Sequence, residues 1–339
     1  MRRPRGLRPR LVWAGLTALT TLGAAVLLPA CGWLPWFGRT IEVPLATWPG
    51  YEYFYLAQEK GLAERFGLRM HTRDYPDPQA IVHAYLRGEL QVAQLTTVEA
   101  VDICHRQPRR CPVVVLVLDE SRGGDMVAAL PGIDTIEQLQ GERVAVTPST
   151  LGPYVLSRAL DQVGMRLADV TVVPMPLAEM AGSLKRREVA AAAFFPPFSE
   201  VALRVGLARR LFDSSRIPGE IFDVLVVDPA IVMQQRKELS LLLRTWQAAH
   251  DLADREPDEA DAVMAAREQL SVSRFREAER GLLYPDLVEQ VRLLQPGGVL
   301  ERNLAAVQRV QVALGLVKAD APLPPVDDQP LRQALQAAP

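Results

Sequence analysis

The side chains with chemical capability in this sequence gather at turns that close apolar runs. Thr47-Trp48-Pro49-Gly50-Tyr51-Glu52 sets an aromatic plate and a carboxylate where a helix begins. Thr96 and Thr97 follow a second run, and Asp119, Glu120, Ser121 and Gly123-Gly124-Asp125 follow a third. Thr147-Pro148-Ser149-Thr150 opens a helix that contains Tyr154, and Phe195-Pro196-Pro197 closes another apolar stretch. Hydroxyls, carboxylates and rings of this kind hold a small ligand through hydrogen bonds, charge and ring faces. Each also has a plainer use. Thr96, Thr97, Ser149 and Thr150 suit helix N-caps, Trp48 and Tyr51 suit packing, Glu52 and Asp119 could be solvated or paired with Arg122, and Phe195 could sit in a core. No arrangement among them amounts to a nucleophile with its base, and the GxSxG, Walker, GxGxxG, HExxH and CxxC patterns are absent. His71, His83, His105 and His250 fall on unrelated stretches, so neither a metal site nor a cofactor is expected. The weight moves toward binding and away from catalysis.

The first residues bear on the compartment. Arg2, Arg3, Arg5, Arg8 and Arg10 make a basic start, and positions 11–28 carry no charged side chain. This is the pattern of a secretory signal; an uncleaved membrane-spanning helix is the other reading of a run this long. Leu28-Pro29-Ala30-Cys31 closes the run and resembles the lipobox of bacterial lipoproteins. Residues 1–30 are therefore expected as a signal peptide, Cys31 as the lipidated residue and 31–39 as a linker from the membrane. Cys104 and Cys111 remain. In an oxidising compartment they are expected to form a local disulfide across CHRQPRRC, worth roughly 2–3 kcal/mol on chain-entropy grounds, with two free thiols as the alternative. Loss of residues 1–30 removes five arginines and no acid, which leaves 33 basic against 40 acidic residues, a net charge of −7. Nucleic acid is a poor partner for such a chain.

To bring those turns together, strands and helices must alternate. Strands are expected at 41–47, 68–75, 91–96, 112–118, 143–147, 170–174, 190–195 and 221–227. Helices are expected at 51–66, 78–87, 98–104, 152–163 and 178–187, with a short one from 136 and almost continuous helix over 229–316. Strands joined through helices of this length imply right-handed crossovers and mostly parallel sheets. In such sheets ligands lie beyond the carboxyl ends of the strands, which is where the turns above fall. KADAPLPPVDDQP has no apolar period and reads as a tail.

The succession TWPGYEYFYLAQEKGL, GELQVAQLTTVEA, VVVLVLDESRGGD, ERVAVTPSTLGPYVLSRAL and AAAAFFPPFSE resembles the periplasmic solute-binding components of ABC importers in the nitrate, sulfonate, taurine and thiamine-pyrimidine group. The likeness runs in order over 41–228. It implies an α/β, two-lobed periplasmic binding protein of type II, each lobe a mainly parallel sheet flanked by helices, with two hinge crossings near 121–126 and 219–223. Lobe 1 would be 40–125 plus 222–317, lobe 2 126–221, and 318–339 the Pro/Asp-rich tail.

By family position, the resemblance implies a ligand shell of Trp48, Tyr51, Glu52, Thr96, Thr97, Asp119, Ser121, Thr147, Ser149 and Phe195. Only Arg122 is cationic nearby, so Glu52 and Asp119 beside rings would suit an amine or a nitrogen heterocycle better than nitrate or a sulfonate. The implied partners are a small solute and an ABC permease, with membrane contact through the lipid and the protein itself a monomer. Two alternatives share the fold: a ligand-sensing lipoprotein that signals to a partner protein, and an enzyme like the pyrimidine synthases of fungal thiamine biosynthesis, whose cysteine-rich motif this sequence lacks.

Overall fold

The structure, a computed structural model, describes residues 40–337. The expected signal peptide, Cys31 and the linker lie outside the described residues.

The first lobe begins with β1 (Ile41–Leu45) and β2 (Met70–Asp74), which form a two-stranded parallel sheet of their own with Ile41 opposite Met70. Between them the single expected helix is two, α1 (Glu52–Glu59) and α2 (Leu62–Arg65), because Gly61 adopts φ 60° and breaks the run. α3 (Pro78–Leu86) starts on Asp77, whose side chain accepts the Ala80 N–H, with Pro78 just inside. β3 (Val92–Thr96) leads into α4 (Thr97–Arg106) through a capping box in which Thr96 and Glu99 satisfy each other's backbone N–H. At the end of α4 the sulfurs of Cys104 and Cys111 adjoin, their Cα atoms 4.2 Å apart. β4 (Val113–Ser121) follows, with Val114 to Leu118 wholly buried.

The chain then crosses to the sheet of the second lobe. This holds β5 (Met126–Ala129), β6 (Arg143–Val146), β7 (Thr171–Pro174), β8 (Ala191–Phe194) and β9 (Arg209–Asp213), in the order β7-β6-β8-β5-β9. α5 (Gly152–Asp161), α6 (Leu177–Lys185) and α7 (Phe198–Arg204) cover it. The helix expected from 136 is only a 3-10 turn at Glu137–Leu139. A second crossing returns the chain to β10 (Phe222–Val227), buried at every residue between β3 and β4. α8 (Pro229–Gln234), α9 (Arg236–Arg255), α10 (Pro257–Arg267) and α11 (Val272–Glu279) come next. They are followed by the short β11 (Leu282–Leu283), α12 (Leu287–Leu294), α13 (Val299–Ala313) and α14 (Gln329–Gln336).

The two-lobed α/β class stands, but the expectation of mainly parallel sheets does not: every pairing in the β11-β4-β10-β3 sheet is antiparallel, and the second lobe's sheet is mixed. β6 pairs in parallel with β7 and β8, whereas β10 runs against β3 and β4, and β5 against β8 and β9. The reason is local. β3, β4 and β8 end where the sheets face each other, but β5 and β10 are entered directly from a crossing and must begin there. β5, β9 and β11 were not among the expected strands. The expected tail is a strap: the Val114 N–H donates to the Pro325 carbonyl at 2.8 Å, the Asp327 N–H to the Val114 carbonyl at 2.9 Å, and α14 buries Leu331. Among the described residues no helix is long and apolar enough to cross a membrane.

Candidate functional site

The turn after β1 folds over the end of the first lobe. Trp48 is buried, and its indole N–H donates to Asp119 Oδ2 at 3.2 Å. Tyr51 O–H donates to Asp223 Oδ1. The turn can lie this close only because residue 50 is glycine, where a Cβ would stand 1.8 Å from Asp119 Oδ2. Asp119 and Asp223 face each other across β4 and β10, and Asp223 faces Thr96 on its other side.

The second lobe supplies the opposing wall. Phe195 meets the Trp48 ring edge to face, centroids 5.3 Å apart at 86°. Thr147 Oγ1 donates to the Met175 carbonyl and Thr150 Oγ1 to the Thr147 carbonyl. Leu151, at the start of α5, faces Glu99 of the first lobe, and both line the same cavity. Between the walls lie two small adjoining cavities. One, of about 20 Å³, is lined by Trp48, Tyr51, Pro78, Thr96, Glu99, Asp125, Leu151, Phe195 and Asp223. The other, of about 10 Å³, adds Thr147, Thr150 and Leu177. Each holds about one water molecule, so the lobes are shut on one another.

The gap is acidic. Burial pushes Glu99 and Asp125 up to about 7, with hydrogen bonds from Thr96 and Ser121 opposing. Burial raises Asp119 against its bond from Trp48, and raises Asp223 further because the Asp119 charge lies beside it. Two carboxyls so placed cannot both ionise cheaply. The Asp119 and Asp223 carboxyls share a hydrogen bond, whereas Asp125 Oδ2 is buried without a partner. An acceptor left so costs roughly 1–3 kcal/mol.

Of the residues expected by family position, Trp48, Tyr51, Thr96, Thr147 and Phe195 line these cavities, and Asp119 stands directly behind Trp48. Ser121 lies in the first crossing, bonded to Ser214 Oγ at 2.8 Å. Thr97 is buried on α4 with its hydroxyl unpartnered. Glu52 turns away from the gap to pair with Arg267 of α10, because the α1 register carries it into the packing of the first lobe. Ser149 is exposed at φ 58° and lines neither cavity; its neighbour Thr150 does. Arg122 points outward and pairs with Glu120 at 2.8 Å. Sequence reasoning missed Glu99, Asp125 and Asp223. The signals were present: Glu99 completes Thr96-x-x-Glu99, and Asp223 is the one charge in the apolar run IFDVLVV.

The histidines do not converge. His250 stacks on Tyr53 at 3.5 Å deep in the first lobe, where burial pushes it down to about 3. No group of three or more His, Cys, Asp and Glu able to hold a metal occurs among the described residues.

Comparison with known proteins adds three findings. The model of the NMT1-like family matches residues 42–267. A protein of Brucella abortus (strain 2308), designated only as a binding protein, is 24% identical over 276 residues, covering 80% of this chain and 84% of its own length. Among solved structures, the alkanesulfonate-binding protein of Xanthomonas axonopodis pv. citri bound to MOPS superposes with a TM-score of 0.71 at 14% identity, over 83% of this chain and 95% of that one. A desulfurization enzyme has the same fold, with a TM-score of 0.64 at 16% identity over 88% and 99% of the two chains.

Proposed function

Since the chain belongs to the NMT1-like family, we propose that it is an extracytoplasmic receptor that traps a small solute between its lobes and delivers it to an ABC importer. One observation carries the reading: two lobes shut over a gap lined by a buried Asp125 whose Oδ2 lacks a hydrogen-bond partner. A protein stabilised by its own packing alone has no use for such an acceptor, whereas a ligand that brings a donor satisfies it. The wall residues belong to different lobes, so closure assembles the site and opening releases the solute.

The remaining parts of the reading follow from the same compartment. Residues 1–30 direct export, Cys31 carries the lipid, and residues 31–39 tether a periplasmic, monomeric body to the membrane. Cys104 and Cys111 are joined by a disulfide, so the exported protein offers no thiol to a maleimide until it is reduced. The receptor reading is tested by thermal melting of the full chain, carrying Cys31→Ser to keep it free of lipid, against a panel of small metabolites. A true ligand at a hundred times its dissociation constant adds about 2.7 kcal/mol and is recovered unchanged. Consumption of the ligand, or a panel without a single stabiliser, would overturn the receptor.

A further inference from the structure

We infer that the cleft selects a small organic cation bearing N–H donors and excludes oxyanions such as sulfonates and nitrate. The inference rests on the receptor reading and names the chemistry of its solute.

Charge is the first argument. Glu99, Asp125 and Asp223 line the larger cavity, with Asp119 behind Trp48. No lysine, arginine or histidine lines either cavity, and Arg122 is turned outward onto Glu120. An oxyanion placed here would meet four carboxyl groups and no cation.

Donor inventory is the second. A helix N-terminus is a ready anion site through its free N–H groups, and the start of α5 faces the gap. A carboxylate of the opposite lobe, Glu99, already stands beside Leu151 there. Donors on the wall of the first lobe are spent: the Trp48 N–H on Asp119, the Tyr51 O–H on Asp223, and the Thr96 N–H on Glu99. The unused buried side-chain oxygen lining the cavities is Asp125 Oδ2, an acceptor when ionised. A ligand satisfies that form only by donating.

The rings provide the third. Trp48 and Phe195 form the apolar jaws of the gap, and ring faces attract cations, Trp the most strongly. An organic cation uses both features. A bare metal ion does not, and no grouping able to ligate one occurs among the described residues.

Protons give an independent readout. Tyr51, Glu99, Asp119, Glu120, Asp125, Asp223 and Tyr284 make up the titratable surroundings, and burial holds Glu99 and Asp125 at about 7. An incoming cation favours their ionised forms and expels protons at neutral pH.

The test is calorimetric titration and thermal melting of the full chain with Cys31→Ser. The cationic probes are ethanolamine, benzamidine and methylguanidine, set against ethanesulfonate, nitrate and zinc. At least one cation is expected to bind and raise the melting temperature. Its apparent enthalpy should change between two pH 7 buffers of different ionisation enthalpy, reporting proton release. Asp125→Asn should weaken it by about tenfold or more. Glu99→Gln, which keeps the capping geometry, should weaken it as well and so covers any failure of the first variant to fold. Binding of ethanesulfonate or nitrate without any cation, or of zinc alone, overturns the cation and leaves the receptor standing. Binding that neither variant weakens overturns the assigned residues. No binding by any probe counts against both readings, and the metabolite panel separates them: a neutral or anionic stabiliser there rescues the receptor alone.

Discussion

Glu52 shows what a buried carboxyl means for stability away from the cleft. It pairs with Arg267, which also reaches Asp74 at 2.6 Å, and buried Glu268 lies against it, the two carboxyls sharing a hydrogen bond. Burial is the largest effect on both acids and raises them; the Arg267 guanidinium opposes it at Glu52. Glu268 has no cation of its own and is the member that keeps the proton. Across the molecule Glu99, Asp125 and Glu279 are likewise pushed up to about 7, chiefly by burial. Each of these groups holds a proton in the folded chain at pH values where the unfolded chain, titrating near 4, has released it. Through these groups the unfolded state binds fewer protons in this window, and the stability they contribute is full below about pH 4, then declines as pH rises through about 7; His250, pushed down to about 3, works the other way at acidic pH but is one group against several. The melting temperature of the solute-free protein should thus be higher at pH 5.5 than at pH 8.5. Glu268→Gln should recover on the order of 1 kcal/mol at pH 8.5 and almost nothing at pH 5.5. A melting temperature that rises with pH would contradict this assignment.

At the scale of elements, the outer edge of β4 is closed in three pieces. The strap satisfies Val114, β11 pairs with Glu120 and Ser121, and between them the Gln290 side chain stands in for a strand. Its Oε1 accepts the Val117 N–H at 2.9 Å and its Nε2 donates to the Val117 carbonyl. An open edge in a strand as apolar as VVVLVL invites pairing with another chain, and a buried unpaired backbone group costs roughly 1–3 kcal/mol. Gln290→Leu, close in size, leaves both groups unpaired and should cost about 2–5 kcal/mol, read as a lower denaturant midpoint. Gln290→Glu keeps an acceptor for the N–H and should lose less at acidic pH, where it can also donate. This edge also shows what a sequence exposes. β4 and β10 carry long apolar runs, VVVLVL and VLVV, and were legible as central strands, as were α3 through its Asp-Pro start and α5. β9, RRLFD, alternates nothing because most of it is exposed or half-buried, and β11 is two residues long; both exist through their partners. The strap has no apolar period of its own, since backbone bonds to Val114 and the buried Pro330, Leu331 and Ala334 hold it.

At the scale of the whole molecule, the cleft was legible as a set of turns at strand ends. Its composition was not, because the side chain that bridges the lobes, Glu99, looks from sequence like a local cap, and because a helix start does not reveal that Glu52 rotates away from the gap. The same bridging makes closure testable. Across the gap the lobes touch through Trp48 and Phe195, through Glu99 beside Leu151, through Gln79 Nε2 on the Pro148 carbonyl at 2.7 Å, and through Arg274 and Glu200 at 3.4 Å. The crossings are held separately: Ser214 Oγ meets Ser121 Oγ and accepts the Gly123 N–H, and Asn303 donates to the carbonyls of Gly219 and Glu220. The Arg274 pair is partly exposed and worth at most about 1 kcal/mol. The ring contact adds about 0.5–1.5 kcal/mol beyond its burial, so it is a large share of what keeps the solute-free lobes together. Phe195 is only half-buried and not part of any sheet, so Phe195→Ala should leave the fold and its melting temperature nearly unchanged while shifting the population toward open forms. Small-angle X-ray scattering should record a larger radius of gyration for the solute-free variant than for the parent. Saturating solute, which binds across both walls, should bring the two values back together. An equal radius in the solute-free state would mean that the polar bridges, not the rings, set the closed population.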